Sequence, residues 1–285
     1  MRNREMYNTL IASYYKKSAW MYKYVWYSSK SLGLHYGFWE DNTKNHDEAL
    51  INQYKQIIDK ARIKAGMKVL DAGCGVGGGS IYIAEHTGAN VTGVTITKEQ
   101  VLEAQMNAKR LDVDELVQFM YMDYAKTIFP NEYFDVVFAV ESACYSYPKK
   151  LFLDEAYRVL KKGGTLIIND GYSCRKPKNY NESQILKHFC EGWKLRELIE
   201  VRDMTGAIET AGFRVITIED KTLSVRASLV RMAKILRYFK PIIFLAKHLK
   251  LDFLTPIYDN ALSMEMSIKG VDTGLMGYFR HTAKK

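Results

Sequence analysis

From Met67 onward the chain alternates short continuous apolar runs with longer stretches whose apolar residues recur every three or four positions. The short runs, rich in Val, Ile and Phe, predict strands at Met67–Asp71, Asn90–Thr95, Val117–Met122, Phe134–Val140, Thr165–Asn169 and Arg214–Ile218. The longer ones predict helices at Gly77–His86, Lys98–Arg110, Lys149–Leu160 and Met204–Ala211. Gly163 is a candidate for the left-handed residue just past the third helix, and Gly212 stops the fourth. Alternation of this kind builds an α/β fold, a mostly parallel sheet covered by helices. Leu275–Thr282 has strand composition and supplies a seventh strand if it joins the sheet. Residues 61–220 are then a core interrupted at 171–201, and residues 1–60 are a helical preface. Residues 221–265 become a cap inserted before the last strand, with 266–285 completing the sheet.

The preface holds eleven aromatic residues in its first forty, about twice the density of the whole chain. Such rings can staple a helical lid onto a core, wall a dry pocket, or attract a cation through the ring quadrupole. Arg226–Phe239 plots as an amphipathic helix. Leu229, Met232, Ala233, Ile235, Leu236 and Phe239 share one arc, Arg226, Arg231, Lys234 and Arg237 the other, and Pro241 is expected to break it. The net charge of +9 concentrates here, since Lys221–Leu251 carries eight Lys or Arg and no Asp or Glu. A solvated cap face, contact of 226–250 with anionic membrane, and contact with an anionic substrate are the open readings. No nucleic-acid motif accompanies the charge, so nucleic acid is not an expected partner. The 47% apolar content is ample for a core, and no apolar stretch is long enough to span a membrane. Four cysteines without metal-ligand spacing, and a start without an apolar signal segment, predict reduced thiols, no metal site and a cytoplasmic protein.

Chemistry concentrates at Val69–Gly79, an apolar run, an acid and a glycine-rich turn entering a helix. Gly73, Gly75 and Gly78 satisfy G-x-G-x-x-G, in which backbone comes close to a nucleotide-type cofactor. That spacing alone fits either a dinucleotide or S-adenosylmethionine (SAM). Asp71 favours SAM, because a pyrophosphate at a helix N-terminus excludes a neighbouring anion whereas the methionyl ammonium pairs with one. The strand Asn90–Thr95 also ends without the acid that holds an NAD ribose. Asp71 is thus expected at the ammonium, with the backbone of Gly73 and Gly75 along the methionyl and ribose groups. Cys74 between them reads as a small buried filler. Asp123, with Tyr124 beside it, has the address for the adenine amine. Glu141, just past the fourth strand, stands where open α/β sheets bind ligands. It can hold an acceptor, take a proton or stabilise positive charge.

The core resembles class I SAM-dependent methyltransferases of the sterol C-methyltransferase, tocopherol methyltransferase and cyclopropane fatty-acid synthase group. The resemblance rests on Leu70–Gly75, Thr92–Gln100, Glu141–Tyr145 and Tyr157–Gly164, in order and spacing. It implies a Rossmann-like fold with a seven-stranded, mostly parallel sheet, and SAM as cofactor. It further implies a lipophilic acceptor of isoprenoid or sterol type, methylated on carbon. By the same resemblance Thr95, Ile96 and Gln100 contact the ribose, while Tyr27, His35 and Tyr36 lie over the sulfonium. Glu141, His35 and Tyr36 are the catalytic candidates, with His35 as a base near neutral pH. Tyr145 departs from the His of the sterol enzymes, and Leu34–Trp39 is closer to the tocopherol and glycine-betaine type. A small amine or phenol acceptor is the alternative within this class, and a dinucleotide-dependent oxidoreductase the alternative outside it.

Overall fold

The structure is a computed structural model that describes the backbone at residues 2–248 and 255–285 and side chains at 3–237 and 260–285. Five apolar runs form parallel strands: β1 Lys68–Ala72, β2 Asn90–Thr95, β3 Val117–Tyr121, β4 Phe134–Val140 and β5 Leu160–Ser173. With β6 (Arg214–Asp220) and β7 (Met276–Lys284) they make one sheet in the order β3-β2-β1-β4-β5-β7-β6, β7 running antiparallel to both its neighbours. Strand side chains alternate between faces, and the core divides accordingly. Val69, Val136, Phe138 and Ile167 pack on one face, with Ile57 of α2 (His46–Ala61) and Ile83 of α3 (Gly78–Thr87). Leu70, Val137, Ala139 and Ile168 face the other side, with Phe152 of α5 (Lys149–Val159) and Ile208 of α7 (Val201–Thr210). Two-sided burial is why these strands read as unbroken apolar runs. Between β2 and β3 lies α4 (Lys98–Arg110).

Gly163 does not cap α5. The helix ends at Val159 and Leu160 is already extended, buried and paired with Phe134, so the chain passes straight from helix to strand. Gly163, at φ +76, instead marks a bend within β5. Pro241 does not end its helix either, since α8 runs from Thr222 to His248. A proline removes one backbone bond and bends the helix locally. Ahead of the proline, Leu229, Met232 and Leu236 anchor α8 by burial against Met21, Tyr22, Trp26 and Met264.

The preface is α1 (Arg2–Met21), a π-helical turn at Tyr22–Trp26, and α2, whose first turn is capped by Asn45 accepting from the Glu48 N–H. The α8 arc faces this preface, while Arg226, Arg231, Lys234 and Arg237 are exposed; the Phe239 side chain lies outside the described residues. The following helix, α9, spans Thr255–Asp272, past the expected cap boundary at 265. β5 likewise runs beyond 171, so the first insertion amounts to α6 (Tyr180–Trp193), which packs Phe189 against Met266, Leu275 and Met276. No described helix is long and apolar enough to cross a membrane.

Candidate active site

Strand order reverses between β1 and β4, and two adjoining cavities open at the carboxyl ends of the strands there. The first, of about 810 Å³, is lined by Asp71, Gly73, Cys74, Gly75, Thr95, Ile96, Gln100 and Tyr124. Gly73 has φ +106, and a Cβ there would collide with the Ser142 side chain, so only glycine lets the β1 loop pass this close to the β4 loop. Asp71 is 4% exposed, and Ser80 Oγ donates to its Oδ2 at 2.8 Å. Burial pushes its carboxyl up to about 7. Among the described residues no cation pairs with it. A buried carboxylate lining a cavity without a counter-ion fits a ligand ammonium. Thr95 Oγ1 donates to Gln100 Oε1 at 2.7 Å, fixing both side chains at the rim. Burial raises the Cys74 thiol well above its ordinary range, which keeps it protonated and inert.

Two expected cofactor residues lie elsewhere. The π-helical turn directs Tyr27 toward α4, where its hydroxyl meets Glu103 at 3.5 Å in a separate cavity. Asp123 is held by α1: Asn8 Nδ2 donates to its Oδ2 at 2.6 Å and Arg4 pairs with the same oxygen at 2.5 Å. It borders a smaller cavity of about 340 Å³ that shares Ile96 and Tyr124 with the first.

The second cavity, of about 630 Å³, shares His35, Glu141 and Tyr145 with the first. Its walls are largely aromatic, including Tyr22, Trp26, Tyr36, Trp193 and Tyr278. Glu141 stands at the junction with φ 48, an uncommon left-handed conformation for a residue with a side chain. Its Oε1 accepts from the Tyr36 N–H at 2.8 Å and the Tyr278 hydroxyl at 3.0 Å. Burial, with the nearby Asp170 charge adding to it, pushes the Glu141 carboxyl up to about 8. Oε2 keeps no hydrogen-bond partner among the described residues and is free for a ligand.

His35 is not arranged as a base at neutral pH. The Tyr36 carbonyl, 2.7 Å from Nδ1, can only accept, so Nδ1 carries the proton and Nε2 accepts from the Tyr54 hydroxyl at 2.8 Å. With both nitrogens engaged and burial lowering its pKa to about 4, the ring is neutral and orients the Tyr36 segment. Tyr36 contributes its backbone N–H to Glu141, while its hydroxyl reaches Met264 Sδ at 3.9 Å.

Asp170, Tyr278 and Tyr54 escaped the sequence reading. In the sequence Asp170 carries the same signal as Asp71 and Glu141, an acid at the end of an apolar run, although β5 continues past it to Ser173. Tyr278 gives no local signal, because its role depends on β7 entering the sheet. No group of three or more His, Cys, Asp or Glu among the described residues could hold a metal ion.

The family model described as mycolic acid cyclopropane synthetase matches residues 3–233. The chain belongs to this family. It is 30% identical over 221 residues to the sterol 24-C-methyltransferase of Saccharomyces cerevisiae, covering 77% of this chain and 56% of that enzyme, so it spans little more than half its relative's length. Its fold is that of class I methyltransferases, a Rossmann-like α/β architecture. The geranyl diphosphate C-methyltransferase of Streptomyces coelicolor superposes with a TM-score of 0.72 at 19% identity, covering 98% of this chain and 97% of that one. The cyclase SpnF superposes with a TM-score of 0.77 at 20% identity, covering 96% and 94%. A fold that hosts a cyclase as well as methyltransferases leaves the reaction to be argued from the site.

Proposed function

We propose that this protein is a SAM-dependent methyltransferase that methylates carbon of a lipophilic acceptor of isoprenoid or sterol type. The observation that carries the reading is the meeting of two cavities at Glu141, one with an unpaired acid and glycine-rich loop, the other walled by aromatic rings. SAM supplies an electrophilic methyl group on a sulfonium. Asp71 binds its ammonium, the Gly73–Gly75 backbone lies along its methionyl and ribose groups, and Thr95, Ile96 and Gln100 bind the ribose. The preface, α6 and the α8–α9 pair cap the acceptor cavity and exclude water. Glu141 Oε2 accepts the proton that the acceptor loses, while Tyr36 and Tyr278 hold Oε1 in place. Positioning supplies part of the rate, by holding the alkene in line with the methyl–sulfur bond. The sterol and geranyl diphosphate relatives support a lipophilic acceptor.

Incubation with SAM and a panel of prenyl and sterol alkenes should yield S-adenosylhomocysteine and a product heavier by one methylene unit, read by mass spectrometry. Glu141→Gln should keep SAM affinity within a few-fold and lower turnover by about 10²-fold or more. Absence of S-adenosylhomocysteine with every acceptor would sink the reading.

We further propose that the exposed face of Arg231, Lys234 and Arg237 meets an anionic lipid surface, from which a lipophilic acceptor is drawn. Each such charge contributes about 1 kcal/mol near the surface. Sedimentation with phosphatidylserine vesicles should be lost on reversing these three charges. Binding indifferent to both salt and reversal would refute the contact.

A further inference from the structure

The acceptor cavity contains a second acid. The register pairs Val140 with Asn169, and the Glu141 N–H donates to the Asn169 carbonyl at 2.8 Å. Glu141, just past the end of β4, therefore lies beside Asp170 of β5, and both line the second cavity. Asp170 is 4% exposed. Its Oδ2 accepts from the Cys144 N–H at 2.8 Å and its Oδ1 from the Gly171 N–H at 2.9 Å. Two backbone donors fix the carboxylate in place, while burial pushes its pKa up to about 6, so it is ionised at neutral pH. Lys149, the cation near it, donates instead to the carbonyls of Ala143 and Cys144, at 3.1 and 2.5 Å. Among the described residues Asp170 has no contact ion pair. A fixed carboxylate without a contact ion pair, in a largely aromatic chamber, is arranged to meet positive charge.

We infer that Asp170 is the fixed anion of the acceptor cavity, stabilising positive charge that develops on an alkene acceptor while Glu141 takes the proton. This rests on the methyl-transfer reading. As the alkene π pair forms the new carbon–carbon bond, the methyl–sulfur bond breaks with its pair left on sulfur, and the far alkene carbon becomes cationic. Loss of a proton to Glu141 Oε2 returns the C–H pair to carbon as a double bond. Asp170 faces the cationic stage and takes no proton itself.

Other ionisable groups around the two acids do not change charge near neutrality. Tyr15, Tyr22 and Tyr36 from the preface, Tyr54 from α2 and Tyr278 from β7 face Glu141 and are raised by burial. Cys144, Tyr124 and Tyr172 near Asp170 are raised likewise, His35 is neutral, and burial lowers Lys149 while the Asp170 charge opposes that.

The test compares kcat against pH for the wild type and Asp170→Asn at saturating SAM and alkene acceptor, with SAM binding and thermal unfolding measured alongside. Asp170→Asn should lose about 10²-fold in kcat and bind SAM within a few-fold of normal. Its rising limb, set by Glu141 deprotonation, should move to lower pH because the like charge beside it is gone. A folded variant with near-normal kcat and an unmoved limb would reduce Asp170 to a backbone cap. A second measurement is independent of that variant's folding. An ammonium analogue of the cationic acceptor should bind the wild type at least about tenfold more tightly than its neutral isostere, and equal affinities would overturn the inference. A wild type that forms no S-adenosylhomocysteine with any acceptor would count against the methyl-transfer reading, and the ammonium comparison would still judge Asp170.

Discussion

Asp71 and Glu141 are carboxyls that burial holds near neutrality, at about 7 and about 8, and the proposed function gives each a different ligand charge to meet. A methionyl ammonium beside Asp71 favours its ionised form, so SAM binding should release a proton and tighten as pH rises through about 7. Calorimetry in buffers of different ionisation enthalpy would detect that release, and it should vanish in Asp71→Asn. Stability has the opposite sign. Both folded pKa values lie above the ordinary carboxylate range, so the folded state binds more protons than the unfolded chain. Its stability is fully present below that range and is lost as pH climbs to about 7 for Asp71 and about 8 for Glu141. The buried His35, His46 and His281, lowered to about 4, act only on the acid side, below their ordinary 6.5. Melting temperature of the ligand-free protein should therefore fall between about pH 6.5 and 8, and less steeply in Glu141→Gln.

At the scale of elements, α2 packs on the sheet, whereas α1, its π-helical turn and the cap are joined by a seam of apolar side chains. Leu229 and Leu236 of α8, each 3% exposed, pack against the end of α1 and its π-helical turn. Truncating either to Ala should cost about 2–5 kcal/mol in denaturant unfolding, the usual range for a buried leucine. Arg231→Glu or Lys234→Glu on the opposite face should shift stability by no more than about 0.5 kcal/mol. The N-terminal end of α1 is fastened separately, by Arg4 and Asn8 on Asp123. Asp123→Ala should speed amide exchange over the first two turns of α1 and leave exchange in β1 and β4 unchanged.

Across the whole molecule, β7 ties the last residues to everything else. It lies between β5 and β6 and bonds to both, Arg280 donates to Asn169 and Gln56, and Tyr278 reaches Glu141. Removing residues 276–285 would strip both ladders and leave β6 without its neighbour. Such a chain should show no cooperative thermal transition, whereas SAM added to the full chain should raise the transition by mass action.

Short-range physics made much of this legible in advance. Apolar runs buried on both faces marked β1, β4 and β5, and the Gly73–Gly75 turn needed φ values that only glycine takes readily, so the glycine-rich loop and the acids Asp71 and Glu141 could be located from order and spacing alone. Helix ends were less certain where a local rule met tertiary packing, as at Gly163 and Pro241, because propensities of a few kcal/mol yield to burial of a whole apolar arc. Contacts spanning more than a hundred residues were settled only by the fold. Asp123 is taken by Asn8 at a separation of 115, Glu141 is held by Tyr36 at 105 and Tyr278 at 137. No periodicity records such pairings. They exist because β7 enters the sheet beside β5 and the preface closes over the strand ends, and that closure turned His35 from a candidate base into a neutral brace, while the β4–β5 register set Asp170 beside Glu141.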